Sequence, residues 1–301
     1  MKYNAAINKT REHHSHNKKG KIIMRKYIAF ILAVLMMATC FVGCAKPADP
    51  TDGTTNTTGA APTTDSAYVA NNKKIVVGIT DYAPMDYKDE NGNWTGFDAE
   101  FATLFAKELG VEVEFFVIAD WGKKFVELET KQIDAVWNGM TITEEATLNA
   151  SVSDPYVLNA QVVVAKADKI ASIQTAADLK DLKVAVENGS AGQDAAEAAE
   201  IPAENIIAVQ DQAAALLEVK AGTAAACVID ITMAKAMTGE GTNYADLAAG
   251  ISLTEEEYGV AFRKDSDLTA KFNAFMDKLI ADGTLKQLAD KYSLTLAGDA
   301  K

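Results

Sequence analysis

Histidine is missing from almost the whole chain: among 301 residues it occurs only as His13, His14 and His16. That absence excludes Ser-His-Asp and Cys-His catalysis, and every imidazole metal site, from the long remainder. Arginine is nearly as scarce, Arg263 being the only one after residue 43. Cysteine is short too, with Cys40 and Cys44 near the start and only Cys227 beyond them, so no intramolecular disulfide is expected once Cys44 is used otherwise. Cys227, inside AAACVID, reads as a buried apolar strand residue. Positive charge is lacking in general, because the residues after 43 carry 21 Lys and Arg against 41 Asp and Glu. A surface this acidic repels phosphate backbones and anionic headgroups, which removes nucleic acid from the expected partners.

What the start of the chain does have is a basic and then apolar leader. From Met24, Arg25 and Lys26 precede the nearly uncharged run Tyr27 to Val42, and Gly43 and Cys44 follow. A basic region, a short apolar core and a small residue before cysteine form a secretory signal. Residues 1–43 are therefore set apart as a leader, with the signal peptide over 24–43 and either Met1 or Met24 as its start. The run Phe-Val-Gly-Cys resembles a lipobox, with Cys44 the lipidated residue and Phe41 a departure from the usual aliphatic. An uncleaved membrane anchor is the alternative, and either arrangement places the body outside the cytoplasmic membrane. Residues 44–73, rich in Thr, Pro, Gly and Ala, read as a flexible tether.

From Lys74 the pattern changes to short β-branched runs alternating with helical stripes. Strands are expected at Ile75–Thr80, Val111–Val117, Ile133–Trp137, Val162–Ala165, Lys183–Val186, Ile206–Val209 and Ala226–Ile229. Helices are expected after Asp98, with Phe97, Phe101, Leu104, Phe105 and Leu109 on one face and Gly110 as the stop, and near Ala177–Leu182, Ala191–Glu200, Gln212–Ala221, Leu268–Ile280 and Leu285–Tyr292. Such alternation gives an α/β fold with mostly parallel sheets, whose ligands sit at the carboxyl ends of strands.

Six segments carry a resemblance. They are Gly78–Ala102, Glu127–Thr143, Ser153–Tyr156, Asp178–Gly192, Val228–Asp230 and Glu257–Asp265, in that order. Together they resemble the polar amino acid class of extracellular solute-binding proteins that feed ABC importers. The resemblance implies a two-lobed periplasmic-binding-protein-like type II fold with mixed sheets, flanking helices and two hinge crossovers. Lobe 1 would span 74–160 and 258–301, lobe 2 would span 161–257, and the crossovers would lie near Gln161–Ala165 and Gly259–Phe262. It implies a protein that closes on a small polar solute and visits a permease while held to the membrane by its lipid; the sequence gives no reason for an oligomer, so a monomer is expected, with no cofactor or metal.

The same resemblance marks candidate ligand contacts. Gly139, Met140 and Thr141 follow a strand, with Asn138 orienting them, and the bland alternative is a plain turn capped by Thr143. Ser190, Ala191 and Gly192 open a helix whose N–H groups suit an anion. Asp230 ends a strand and would pair with an α-ammonium, unless it merely caps the next helix. Asp81, Tyr82 and Met85 come from the first loop, where Met85 replaces the family's aromatic; Trp121 is either cleft wall or core. The gravest departure is Ala146, which stands where the family has a carboxylate-binding arginine, and Arg263 is expected near the surface rather than in its place. The carboxylate would then be held by N–H groups and Thr141 alone, or by a lysine such as Lys123 or Lys124, or the ligand would be a cationic amine drawn to Asp81, Asp86 and Asp230. A dehydratase built on this fold, using Glu145 or Asp230, is the enzymatic alternative. Asp89, Asn91, Asn93 and Glu100 imitate a calcium loop, but Trp94 occupies its glycine position.

Overall fold

The structure is a computed structural model, and it describes residues 64–298. The leader, Cys44 and the lipidation expected there lie outside the described residues. The first described element corrects the tether, because Asp65–Asn72 form a helix, α1, capped by the Thr64 side chain. Only Val69 of α1 is buried, so the helix owes its place to polar anchors. Ser66 N donates to Asp267 at 2.9 Å, and Asp65 accepts from the Arg263 guanidinium at 3.1 Å. Such long-range anchors leave no apolar stripe to be read from sequence.

The chain continues through β1 (Lys74–Ile79), the hairpin β2 (Tyr87–Lys88) and β3 (Trp94–Thr95), α2 (Phe97–Leu109), β4 (Glu112–Val117), α3 (Lys124–Glu129), β5 (Ala135–Val136), α4 (Glu144–Asn149), β6 (Ser151–Val152) and β7 (Val157–Asn159). It then runs through β8 (Gln161–Lys166), β9 (Val184–Glu187), α5 (Ala191–Ala198), β10 (Ile206–Val209), α6 (Gln212–Ala221), β11 (Ala226–Asp230), α7 (Ile231–Met237) and β12 (Leu247–Ser252). Finally come β13 (Glu256–Tyr258), β14 (Ala261–Phe262), α8 (Leu268–Ala281) and α9 (Thr284–Lys291). The helix expected near Ala177–Leu182 is a short 3₁₀ turn at Ala176–Leu179 instead.

Two five-stranded sheets result, in the orders β4-β1-β5-β14-β6 and β10-β9-β11-β8-β12. In each, four strands run one way and a single strand, β14 or β8, runs opposite, inserted between the last two of them. The first sheet is lobe 1, and its core is aromatic: α2 places Phe97, Phe101 and Phe105 one turn apart, and Trp137 sits 5.0 Å from Phe101 and 4.9 Å from Phe272 between ring centroids. Gly110 stops α2 in the left-handed region at φ 72°.

The connection between the sheets is the antiparallel pair β7 and β13, with Val157 opposite Tyr258 and Asn159 opposite Glu256. This corrects the expected crossovers, since Gln161–Ala165 and Gly259–Phe262 mostly lie in β8 and β14, inside the sheets. Every one of these runs is short and extended, so pattern alone does not say which sheet takes it. Arg263 is a second correction: it is 8% exposed, with Nη2 donating to Asp134 at 2.8 Å and Nη1 to the Ile133 carbonyl at 2.7 Å. The calcium imitation resolves into an Asx turn, in which Asp89 accepts from the N–H groups of Asn91 and Asn93 at 2.9 and 2.8 Å. Glu100 is taken by Lys291 and Tyr292 at 2.7 and 2.6 Å.

Candidate functional site

Strand ends of both lobes converge on a narrow cavity of about 30 Å³. From lobe 1 come Trp121, Lys124, the loop Asn138–Thr141, Thr143 and Glu145; from lobe 2 come Gln161, Glu187, Gly189, Ser190, Ala191, Asp194, Gln212 and Asp230. The strand-end rule for open α/β sheets accounts for most of this set, because β5, β9 and β11 all end at the wall.

The loop after β5 is held from behind. Asn138 accepts from Thr80 N at 2.8 Å and donates to the Thr80 hydroxyl at 2.7 Å, tying the loop to the end of β1. Gly139 N donates to Asp98 at 2.6 Å. Gly139 has φ 55°, and a Cβ there would stand 2.7 Å from the Tyr82 ring, so conformation and space both require glycine. The Thr141 hydroxyl donates to Glu256 at 2.9 Å.

Among the described residues, Lys124 is the only cationic side chain on the cavity wall. Its ammonium donates to the Gly189 carbonyl of the other lobe at 3.0 Å and stands 3.9 Å from Glu145. The ring centroids of Trp121 and Phe125 lie 5.2 and 4.9 Å from it, a cation–π setting. Burial pulls the Lys124 ammonium below its ordinary value, against the pull of Glu145 and Glu187.

Opposite in charge stands Asp230. Gln161 donates to it at 2.7 Å, and the side-chain amides of Asn159 and Gln212 also donate to it, an arrangement that disperses a buried negative charge without an ion pair. Burial, followed by repulsion from Glu256, raises Asp230 to about 6, against the pull of these amides. Glu187, at the end of β9, is raised to about 8 by burial, then by Asp230 and Asp211, with Lys124 opposing. Its Oε1 has no partner. Asp194 is raised by burial and by Glu197 and Glu145. Ser190 caps α5 by accepting from Gln193 N at 3.3 Å, and α5 starts at the wall.

Eight of the residues marked from sequence line the cavity: Trp121, Asn138, Gly139, Met140, Thr141, Ser190, Ala191 and Asp230. Five do not. Asp81 is exposed beyond β1. Met85 is fully buried in the core. Tyr82 is buried with its hydroxyl bonded to Thr232 of lobe 2 and, at 2.5 Å, to Tyr258. Ala146 is 1% exposed, packed with Trp121 and Met140 behind the wall. Gly192 lets the first turn of α5 approach β11, because a Cβ there would meet the Val228 carbonyl at 2.8 Å. Sequence reasoning passed over Gln161, Glu187, Asp194 and Gln212. Glu187 was within reach, since it ends a strand as Asp230 does; the two glutamines carry no signal until Asp230 is seen between them.

The lobes also touch at the rim. Asn188 Nδ2 donates to Asp120 at 3.1 Å, and a Cβ on Gly189 would stand 2.5 Å from the Gly122 Cα. Two lobes on a double-stranded connection, meeting around a polar cavity with both charge signs on its wall, define a small-solute-binding protein that works by hinge closure.

Comparison narrows that class. Residues 75–295 match the family described as bacterial extracellular solute-binding proteins, family 3, and the chain belongs to this family. It is similar to the arginine-binding extracellular protein ArtP of Bacillus subtilis, 31% identical over 77% of this chain and 91% of ArtP. Among solved structures, a variant of ArgBP from T. maritima matches with a TM-score of 0.70 and 32% identity, over 76% of this chain and 98% of that one. The ancestral amino acid-binding protein AncCDT-1, a precursor of cyclohexadienyl dehydratase, matches with a TM-score of 0.69 and 34% identity, over 75% and 98%.

Proposed function

We propose that this protein captures a free amino acid between its lobes and presents it to the permease of an ABC importer. The carrying observation is the pairing in one cavity of the Lys124 ammonium from lobe 1 with the amide-caged Asp230 from lobe 2. The α-carboxylate lies on Lys124 and the first N–H groups of α5, and the α-ammonium on Asp230, whose three amide donors leave a lone pair free. A zwitterion held this way bridges the lobes, so binding and closure are one event. ArtP's name gives arginine as its ligand, and the acidic wall suits a ligand with a further positive charge. The body contains no histidine, and its relative ArtP is named for binding, which favours binding over a dehydratase chemistry. On the sequence reading of Cys44, a lipid keeps the monomer at the outer face of the membrane, within reach of the permease.

One specific observation supports a second reading, a cationic amine as ligand: Glu145, Glu187, Asp194 and Asp230 on the wall face a single lysine. Calorimetric titration with L-arginine, L-glutamine, L-cystine and agmatine separates the two. An amino acid is expected to bind, and agmatine, which is arginine without its carboxylate, at least about tenfold more weakly than arginine. Agmatine binding as tightly as arginine would replace the amino-acid reading with the amine one.

A further inference from the structure

Behind the ligand loop lies a pair of carboxyl groups that the proposed capture of a solute does not itself use. Asp86 and Asp98 are both fully buried. Their backbones are tied through Met85, whose carbonyl accepts from Asp98 N at 3.0 Å. Among the described residues no lysine or arginine forms an ion pair with either. Neither oxygen of Asp86 has a hydrogen-bond partner, nor has Oδ1 of Asp98. Oδ2 of Asp98, by contrast, accepts from Gly139 N at 2.6 Å and from the Tyr156 hydroxyl at 2.9 Å.

Two carboxylates cannot both stay ionised in such a place, and oxygens left without donors are costly to bury. One proton between them removes the repulsion and makes one Asp86 oxygen a donor while Asp98 stays an acceptor, which leaves fewer oxygens unpaired. We propose that Asp98 is a positioning residue of the binding site, holding the loop Gly139–Thr141 in its ligand-ready form through the Gly139 N–H, with Asp86 sharing a proton with it. The inference rests on the reading of this cavity as the solute site. The loop has little freedom to find another hold, because the Tyr82 and Tyr258 rings crowd Gly139 on the side where a Cβ would project.

The groups facing the pair are Tyr156 and the Trp137 indole, both buried and uncharged at neutral pH. Burial lifts Asp98 to about 7, and burial together with the Asp98 charge lifts Asp86 well above the usual carboxylate range. The loop is therefore gripped by a full carboxylate only toward the alkaline side of neutrality, and the grip weakens as pH falls through about 7.

Two measurements test this. In the ¹H–¹⁵N spectrum of the solute-free protein, the Gly139 amide proton is expected far downfield and to move between pH 5 and 9, and Asp98→Asn abolishes that movement. With L-arginine as probe, Asp98→Asn is expected to bind about tenfold more weakly at pH 8 and to lose most of that difference at pH 5. Asp86→Asn, which still offers a donor to Asp98, keeps affinity within about threefold. A Gly139 amide that ignores pH in the wild type, or an Asp98→Asn protein with wild-type affinity at both pH values, overturns the proposal. Should Asp98→Asn fail to fold, the wild-type titration and Asp86→Asn still decide it. Failure of every amino acid to bind would refute the solute reading instead, and the amide titration would stand apart from it.

Discussion

Replacing Glu187 by glutamine is expected to stabilise the protein at alkaline pH and to leave it nearly unchanged at acid pH. The side chain is 4% exposed, its Oε1 has no partner, and burial raises it from 4.5 to about 8. The sign follows from the direction of the shift. Between those pH values the folded protein keeps a proton that the unfolded chain has already released, so stability from this group is full below 4.5 and lost as pH rises toward 8. At about 1.4 kcal/mol per pH unit the full loss is on the order of 5 kcal/mol, and relaxation of water into the cleft reduces it to about 2–4 kcal/mol. Glutamine fills the same space, carries no charge and can still bond Gln212. For a folded body of this size, each kcal/mol moves the thermal midpoint by about 2–4 °C. Solute-free Glu187→Gln should therefore melt at least about 4 °C above wild type at pH 8.5 and within about 2 °C of it at pH 4.5. Calorimetric melting at several pH values is the assay. Parallel stability curves for the two proteins would refute the claim that Glu187 is buried at the cleft wall with a displaced titration.

Three further substitutions probe other parts of the account. Lys124→Met is expected to weaken amino-acid binding about 10- to 100-fold while sparing agmatine, by calorimetric titration; equal losses for both would remove Lys124 from the carboxylate site. Gly189→Ala places a Cβ 2.5 Å from the Gly122 Cα at a residue with φ 68°, so it should impede closure and weaken binding at least about tenfold, at about 1 kcal/mol in the stability of the lobes. Affinity unchanged in that variant would mean that the rim does not close as described. Arg263→Met leaves Asp65 and Asp134 without their common partner and is expected to cost on the order of 3–5 kcal/mol in urea unfolding. A loss below about 1 kcal/mol would show the buried ion pairs to be energetically idle.

The strands and long helices were legible because their signals are local. Phe97, Phe101 and Phe105 announce one face of α2 wherever the rest of the chain lies, and Gly110 announces its end. Strand ends likewise located Gly139, Ser190 and Asp230 at the cleft. What escaped is nonlocal. Helix α1 depends on Arg263 and Asp267, about two hundred residues away, and its own composition resembles a linker. Met85 and Tyr82 follow a strand end as cleft residues do, yet the chain turns them into the core and the lobe contact. Gln161 and Gln212 matter only because the fold brings both to Asp230. The absence of arginine at Ala146 was plain from sequence, whereas the position of Lys124 beside the cavity required the path of α3.

The most direct test of the central claim is a crystal structure of the protein with the amino acid that binds most tightly among L-arginine, L-glutamine and L-cystine. The account predicts the ligand between the lobes, with its α-carboxylate about 3 Å from the Lys124 ammonium and the first N–H groups of α5, and its α-ammonium on Asp230. A carboxylate directed away from Lys124, with that ammonium still on the Gly189 carbonyl, would contradict it.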